Sequence, residues 1–143
     1  MNTLVLDASV AVKWAMPFED EPLIPESARL LHRYRSGELD FIVPDVFWAE
    51  IGSVFWKGVR RGRWTRSDAE GATADFRLRD FVTVSSFALL PEALAIAFAH
   101  DRTVYDCLYV ALASQAKADL ITADERLANA LAAYFPVKWL GAL

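Results

Sequence analysis

Short apolar runs alternate along the chain with longer segments in which apolar residues recur every three or four positions. Short β-prone runs bounded by Asp, Pro or Ser are typical of buried strands, whereas the longer spacing is typical of helices with one buried face. The predicted strands cover residues 3–6, 40–43, 81–85, 119–122 and 137–140. The predicted helices cover residues 9–16, 26–36, 46–60, 65–79, 92–99, 104–116 and 124–131. This alternation predicts one α/β domain over residues 1–143, a three-layer sandwich with a central, mainly parallel five-stranded sheet and about seven helices.

Residues that favour helix ends support this division. Ser9 and Asp45 are predicted N-caps of the first and third helices, and Thr103 is the predicted N-cap of the sixth. Thr65 precedes an aspartate by three residues, which resembles a capping pair at the start of the fourth helix. Pro91 fits the first turn of the fifth helix, because proline lacks the N–H that is unpaired there anyway.

Composition narrows the class of protein. Hydrophobic residues make up 55% of the 143 positions, enough for a sizeable core, and the net charge of −4 argues against broad nonspecific binding to nucleic acid. The single Cys107 excludes an internal disulfide and suits a reducing cytosol. Asp7 interrupts the first apolar run before a signal peptide could form, and no run is long enough to span a membrane. We therefore expect a soluble cytoplasmic protein.

Four carboxylates occupy similar places in the predicted elements. Asp7 ends the first strand, Glu50 lies in the helix after the second, Asp106 lies in the first turn of the sixth helix, and Asp124 follows the fourth strand. If the strands are parallel, all four can reach the same edge of the sheet. Like charges that close repel and raise their pKa values unless a cation lies between them. Carboxylates with water favour Mg²⁺ or Mn²⁺.

A metal held by acids at this edge suits hydrolysis of a phosphodiester bond, because the ion neutralises charge that develops on the phosphate. The two histidines, His32 and His100, lie in no recognisable catalytic arrangement, and no Gly-rich phosphate loop is present. A simpler interpretation remains open, since an aspartate such as Asp7 or Asp106 at a helix start is commonly only a cap. Glu50 argues against that interpretation, because it lies well past the first turn among large apolar residues.

Four segments in order, 6–9, 49–50, 103–113 and 120–127, resemble the PIN-domain nucleases, and the chain's length and motif order resemble the VapC-like toxins of toxin–antitoxin pairs. The resemblance implies a Mg²⁺- or Mn²⁺-dependent endoribonuclease acting on RNA. It also implies a homodimer and a small antitoxin partner that covers the active groove.

By position, Asp7, Glu50, Asp106 and Asp124 match the family's acidic quartet, which would serve as metal-binding and catalytic residues. In this interpretation Asp7 and Asp106 bind the ion, and Glu50 and Asp124 complete the cage or orient waters. Small hydroxyl residues near that site match as well, and they are Ser9, Thr103 and Thr122.

One concentrated basic stretch lies at the junction of the third and fourth helices. It is formed by Lys57, Arg60, Arg61, Arg63 and Arg66, with Trp64 among them. Basic side chains can bind the RNA backbone and an indole can stack on a base, although a solvated helix turn has the same appearance. Lys13, Tyr105 and Tyr109 are expected to be a solvated lysine and two packing residues.

Other functions fit less well. A signalling receiver domain needs a phosphorylatable Asp at the end of strand three, where this chain has Ser85 and Ser86. An Asp-x-Asp phosphatase needs a second Asp where Ser9 stands. A housekeeping PIN nuclease and a catalytically inert PIN-fold binding module both remain alternatives to a toxin.

Overall fold

The computed structural model describes residues 2–143. Its strands are β1 Asn2–Leu6, β2 Leu39–Pro44, β3 Val82–Val84, β4 Asp119–Thr122 and β5 Val137–Trp139. Its α-helices are α1 Ala8–Ala15, α2 Ile24–Arg35, α3 Val46–Arg60, α4 Arg66–Arg79, α5 Ser86–His100, α6 Val104–Ala116 and α7 Glu125–Leu131. A short 3₁₀ turn, Leu140–Ala142, closes the chain.

The five strands form one sheet in the order β3-β2-β1-β4-β5, and each neighbouring pair is parallel. The central strand β1 pairs through Leu4 with Phe41 of β2 and with Asp119 of β4. Because every strand points the same way, all five carboxyl ends meet at one edge, as the sequence predicted.

Helices cover both faces of this sheet. Val5 and Leu6 follow one another in β1 and therefore point to opposite faces, yet both are fully buried. Helix α6 is buried from Cys107 to Ala113 because it packs against β1, β2 and β4 on one side and against α5 on the other. Burial on several sides explains why this helix is apolar almost all round. The three-layer α/β sandwich is confirmed.

Helix α5 is longer than its sequence indicated. It begins at Ser86 rather than near Pro91, because the Ser85 hydroxyl caps it by accepting a hydrogen bond from the Phe87 N–H at 3.1 Å. The carboxylate of Asp45 also accepts hydrogen bonds from the N–H and the hydroxyl of Ser86. These contacts secure the start of the helix, so Pro91 lies inside it.

Two other predicted caps differ from the structure. Asp45 is at the N-cap position of α3, but its carboxylate binds Ser86 instead of an α3 amide. Helix α1 begins at Ala8 with Asp7 at its N-cap, so Ser9 lies inside the helix and does not cap it. The predicted pair at Thr65 and the cap at Thr103 are present.

Among residues 2–143, none of the helices combines the length and the apolar character that crossing a membrane requires.

Candidate active site

Asp7 lies directly after β1, and its backbone N–H still donates to the Ile121 carbonyl of β4 at 3.1 Å. Its Oδ2 accepts hydrogen bonds from Ser9 Oγ at 2.9 Å and from Thr122 Oγ1 at 2.7 Å. The two hydroxyl oxygens themselves accept N–H donors, from Ala123 at 3.1 Å and from Asp124 at 3.0 Å respectively. Each hydroxyl proton is thereby directed towards Asp7, which fixes this carboxylate at the edge of the sheet.

The environment of Asp7 disfavours its negative charge. Burial raises the pKa of Asp7, and the charge of Asp106 raises that pKa further. The hydroxyls of Thr122 and Ser9 act in the opposite direction, because they donate hydrogen bonds to the ionised form.

Glu50 lies one turn into α3, and its carboxylate is close enough to Asp7 and Asp106 to interact with their charges. Burial raises the pKa of Glu50, and the charges of Asp7 and Asp106 add to the increase. Its Oε1 accepts a hydrogen bond from the Tyr109 hydroxyl at 2.6 Å, which partly offsets these effects. A carboxylate at a half-buried helix position with two negative neighbours is therefore part of a cluster, not of a solvated helix face.

Asp106 occupies the third position of α6, where Thr103 Oγ1 accepts a hydrogen bond from its backbone N–H at 3.2 Å. Burial raises the pKa of Asp106, followed by the charge of Asp124, while the nearby Arg102 lowers it. Asp106 therefore interacts electrostatically with Asp124 in addition to Asp7 and Glu50. The electrostatic interactions link the four predicted acids into a single group.

Asp124 has a structural task as well. It is the N-cap of α7, and its Oδ1 accepts a hydrogen bond from the Leu127 N–H at 3.2 Å. The side chain is exposed, in contrast to the other three acids. Asp124 thus lies at the rim of the cluster with one oxygen already engaged.

The donor set fits a hydrated divalent cation. Within residues 2–143, no three His, Cys, Asp or Glu side chains form a ready-made metal-binding group. Mg²⁺ is commonly held by only one or two carboxylates and keeps several waters, and oxygen ligands suit Mn²⁺ equally. None of the four acids takes part in an ion pair with a basic residue in the part of the chain that the structure describes. A cation would supply compensation beyond that of Arg102, which lies near Asp106 without forming an ion pair.

The fold and the acidic cluster agree with a comparison of the sequence with family models, in which the PIN domain matches residues 4–131. This chain belongs to the PIN-domain family. That family consists of nucleases, so an acidic cluster at the carboxyl edge is where its chemistry is expected.

Relatives of this PIN domain carry related names. Ribonuclease VapC3 of Pyrobaculum aerophilum is 30% identical over 128 residues, which cover 88% of this chain and 92% of the relative. Among solved structures, PAE2754 from the same organism has a TM-score of 0.73 at 18% identity, covering 99% of this chain and 91% of the other.

Two further structures share the PIN fold at low identity. A toxin–antitoxin complex from Klebsiella pneumoniae has a TM-score of 0.61 at 14% identity, covering 94% of this chain and 95% of the other. VapBC2 from Rickettsia felis, bound to a DNA fragment from its promoter, has a TM-score of 0.62 at 11% identity, covering 96% and 98% respectively. At these identities the likeness concerns the fold.

The basic residues of the PIN domain are divided by the structure into paired and unpaired groups. Arg63 forms an ion pair with Asp20 and lies over the ring of Phe18 at 4.6 Å, and Arg66 pairs with Glu70 at 2.7 Å. Arg60 lies over the Trp56 ring at 5.0 Å. Lys57 and Arg61 form no ion pair within residues 2–143.

Lys57 and Arg61 line a cleft of about 230 Å³ between α1 and α3. Val12 and Val54 line it too, and each lies one helical turn beyond a residue of the acidic edge, Ser9 and Glu50 respectively. None of the four acids lines this cleft, and it approaches the acidic edge only through Val12 and Val54. A larger cleft of about 610 Å³ between α1 and α4 likewise contains none of the four acids.

Trp64 is not placed as a free stacking surface. Its indole N–H donates to the Phe55 carbonyl at 3.0 Å, and its ring packs against Phe55 and Phe18. Lys13 likewise differs from the expectation of a solvated lysine, since its side chain is 4% exposed and its Nζ contacts Glu21 Oε1 at 2.6 Å. The acidic loop after α1 supplies this partner, which the periodicity of α1 alone did not reveal.

Sequence reasoning missed the role of Tyr109, which was expected only to pack. Its spacing carried a signal, because Asp106 and Tyr109 are three residues apart and so lie on the same face of α6. Its partner Glu50 comes from a distant part of the chain, and only the fold brings the two together.

Proposed function

We propose that this PIN domain is a divalent-metal-dependent endoribonuclease that hydrolyses RNA phosphodiester bonds. The observation that carries the proposal is the cluster of Asp7, Glu50 and Asp106, three partly buried carboxylates whose pKa values are raised by burial and by negative charge. Such a cluster destabilises the folded protein unless a cation binds it. The relative named Ribonuclease VapC3 supports RNA as the substrate.

The ion is Mg²⁺ or Mn²⁺ in this proposal, with Asp7 and Asp106 as its ligands. Glu50 and Asp124 act through waters around it, which agrees with the exposed position of Asp124. When bound, a divalent ion activates water and neutralises charge that develops on the phosphate. Ser9 and Thr122 hold Asp7 Oδ2 in place, while Thr103 secures the first turn of α6 that carries Asp106.

The RNA backbone follows the cleft between α1 and α3. Lys57 lies seven residues after Glu50 on α3, which corresponds to about 10 Å along the helix axis. Its ammonium group and the guanidinium of Arg61 are not paired with acids and can contact phosphates beyond the scissile bond. Arg60, Arg63 and Arg66 contribute less in this proposal, because each already has a partner in the protein.

We further propose that the enzyme is the toxin of a type II toxin–antitoxin pair in the cytoplasm. Support comes from the VapC name of the relative and from the fold shared with toxin–antitoxin complexes. Its partner would be a small antitoxin that covers the acidic cluster. Co-purification with the product of a short neighbouring gene, together with loss of RNA cleavage in the complex, tests this assignment. An active nuclease without such a partner would favour a housekeeping role.

A second copy of the chain fits the exposed face of α5. Leu89, Ala93 and Ile96 form the buried face of this helix. The opposite face presents a stripe of large exposed side chains, Phe87, Leu90, Leu94 and Phe98. The stripe offers on the order of 500 Å² of apolar surface, more than half of the roughly 800 Å² per partner that a stable interface buries.

Light scattering of the Phe98→Asp variant tests the dimer. We expect wild-type protein to be dimeric and this variant to be monomeric while still folded. If the variant stays dimeric, the stripe is not the dimer interface. Loss of antitoxin binding in a variant that stays dimeric would instead assign the stripe to the antitoxin.

The decisive experiment measures cleavage of single-stranded RNA with added Mg²⁺ or Mn²⁺. We expect cleavage that is lost in EDTA, restored by metal, and lost in the Asp7→Asn variant. Asp20→Asn is a matched control, because Asp20 pairs with Arg63 away from the cluster. Full activity of Asp7→Asn would contradict the mechanism. Absence of both cleavage and Mn²⁺ binding in calorimetry would favour the inert binding module.

A further inference from the structure

Tyr109 is the one large polar side chain inside the buried part of α6. It is 2% exposed and its neighbours from Cys107 to Ala113 are buried apolar or small residues. A phenylalanine would fill nearly the same volume without a polar atom to satisfy. The hydroxyl therefore calls for an explanation beyond packing, because a buried O–H needs a hydrogen-bond partner.

That partner is Glu50. The Tyr109 hydroxyl donates to Glu50 Oε1 at 2.6 Å, and this is the one hydrogen bond that the Glu50 side chain makes within residues 2–143. Glutamate has three flexible side-chain torsions, so an otherwise unrestrained Glu50 would sample several positions. A single short hydrogen bond to a rigid buried ring removes most of that freedom.

Tyr109 also lies where the elements that carry the other acids meet. It follows Asp106 by one turn of α6, and α6 packs against β1, the strand that Asp7 follows. The Tyr109 ring is therefore held by α6 beside β1, where its hydroxyl contacts Glu50 of α3. The hydrogen bond thus links Glu50 to the helix that carries Asp106.

We propose that Tyr109 is a positioning residue that holds Glu50 towards the cation and its waters. The inference rests on the proposed metal-dependent activity, but it concerns a residue that is almost fully buried. In this proposal Tyr109 acts through Glu50 alone, so changing Tyr109 should have no effect on activity once the Glu50 carboxylate has been removed.

The Tyr109→Phe variant removes the hydroxyl and keeps the ring. We expect kcat for RNA cleavage to fall about 10-fold to 100-fold, the usual loss when a residue that orients a metal ligand is changed, while KM for RNA stays unchanged. Mn²⁺ affinity, measured by calorimetry without RNA, falls in parallel. Tyr105→Phe is the matched control, because Tyr105 lies on the same helix but is 63% exposed, and it should behave as wild type.

A double-mutant cycle separates positioning from packing. Tyr109→Phe should cause no further loss of kcat in a Glu50→Gln background, whereas a packing role would lower thermal stability and activity in both backgrounds. An unchanged kcat and Mn²⁺ affinity in Tyr109→Phe, or full additivity with Glu50→Gln, would overturn the proposal.

A second variant keeps the inference testable if Tyr109→Phe does not fold. Glu50→Asp shortens the acid by one methylene, breaks the same hydrogen bond and leaves Tyr109 in place, so it should weaken Mn²⁺ binding as well. Wild-type Mn²⁺ affinity in Glu50→Asp would contradict the proposal. If wild-type protein binds Mn²⁺ without cleaving RNA, the proposed function fails while the calorimetric comparison still tests Tyr109.

Discussion

The acidic edge of the sheet and the junction between α3 and α4 differ in whether their charged side chains have partners of opposite charge within the protein. At the junction, Arg63 and Arg66 each have a carboxylate partner within the protein. At the edge, Asp7, Glu50 and Asp106 face one another, and no basic side chain pairs with them among residues 2–143. Charges that the protein neutralises itself belong to the scaffold, and charges that it leaves together call for a ligand.

The two regions also differ in their effect on stability. Exposed ion pairs such as those of Arg63 and Arg66 contribute little to the free energy of unfolding, because water and salt screen them. The acids at the edge oppose folding, because burial and mutual repulsion disfavour their ionised forms. Variants that change one region and spare the other can therefore test this distinction.

The largest effect is expected from Asp106→Asn. Losing this ligand should lower RNA cleavage at least about 100-fold, because a proposed direct ligand matters no less than the residues that orient it. The metal-free variant should also melt at a higher temperature than wild type, since one repelling charge is gone. Cleavage assays and thermal unfolding in EDTA measure both. Asp20→Asn should change neither the cleavage rate nor the melting temperature by much. Equal effects of the two variants would show that the two regions do not differ in this way.

Thr122→Val should come next. The variant removes the hydroxyl that donates to Asp7 Oδ2 and accepts from the Asp124 N–H, while it keeps the shape of the side chain. The variant loses two hydrogen bonds of a fully buried hydroxyl, one of them to a carboxylate, and we expect the free energy of unfolding in urea to fall by about 1–3 kcal/mol. Mn²⁺ affinity should fall about 10-fold or more. Unaltered Mn²⁺ affinity would mean that Ser9 alone orients Asp7.

The pH dependence of stability should distinguish the regions as well. Raised pKa values at Asp7, Glu50 and Asp106 mean that the folded protein binds protons more tightly than the unfolded chain. Their contribution is thus most favourable below the ordinary carboxyl pKa of about 4 and is lost as pH rises through the raised folded-state values. Urea unfolding of metal-free wild type and Asp106→Asn at about pH 5 and about pH 8 should show a difference that grows with pH. A constant difference would contradict the assigned direction.

A smaller effect is expected at the basic residues. Lys57→Ala should raise KM for RNA several-fold and reduce the salt dependence of binding by about one counterion, because in the proposed RNA path this unpaired lysine contacts a phosphate. Arg63→Ala should leave KM and the salt slope nearly unchanged and lower thermal stability slightly, because that side chain pairs with Asp20 and packs on Phe18. A larger increase in KM for Arg63→Ala than for Lys57→Ala would indicate that RNA binds closer to α4.

The smallest effect is expected from Asp124→Asn. Asparagine is as good an N-cap as aspartate, so the free energy of unfolding should stay within a few tenths of a kcal/mol. Asp124→Ala removes the cap and should cost about 1 kcal/mol. Any loss of cleavage shared by both variants therefore reports on the charge alone. Wild-type activity in Asp124→Asn would limit this residue to capping α7.

The strand pattern predicted the sheet well because parallel strands that are buried on both faces contain short continuous apolar runs, as at residues 4–6 of β1 and 120–121 of β4. Helix α3 has the predicted bounds because its apolar spacing is regular, and α6 has them because Thr103 caps it as predicted. Helix α5 was predicted too short, because Pro91 outweighed the Ser85 cap and because the support from Asp45, at the start of α3, comes from 41 residues before Ser86.

The candidate site shows the same division between local and distant information. The positions of Asp7 and Asp106 follow from strand and helix ends, which are local features of the sequence. Contacts made across the fold do not follow from it, as the partners of Lys13 and Tyr109 demonstrate. The hydrogen bond between Ser9 and Asp7 is local in sequence. Its direction nevertheless depends on Ala123, directly after β4, whose N–H donates to the Ser9 hydroxyl oxygen.

The backbone hydrogen bond from Asp7 to Ile121 has a consequence for how the site responds to thermal fluctuation. It ties the first acid to the two most central strands, where amide hydrogens exchange with solvent only through extensive unfolding. Asp124 lies at the exposed start of α7, outside that centre, and can move while the sheet stays intact. The cluster therefore combines an acid that is fixed to the sheet, Asp7, with an exposed acid at its rim, so Asp124 can approach a cation without any rearrangement of the sheet.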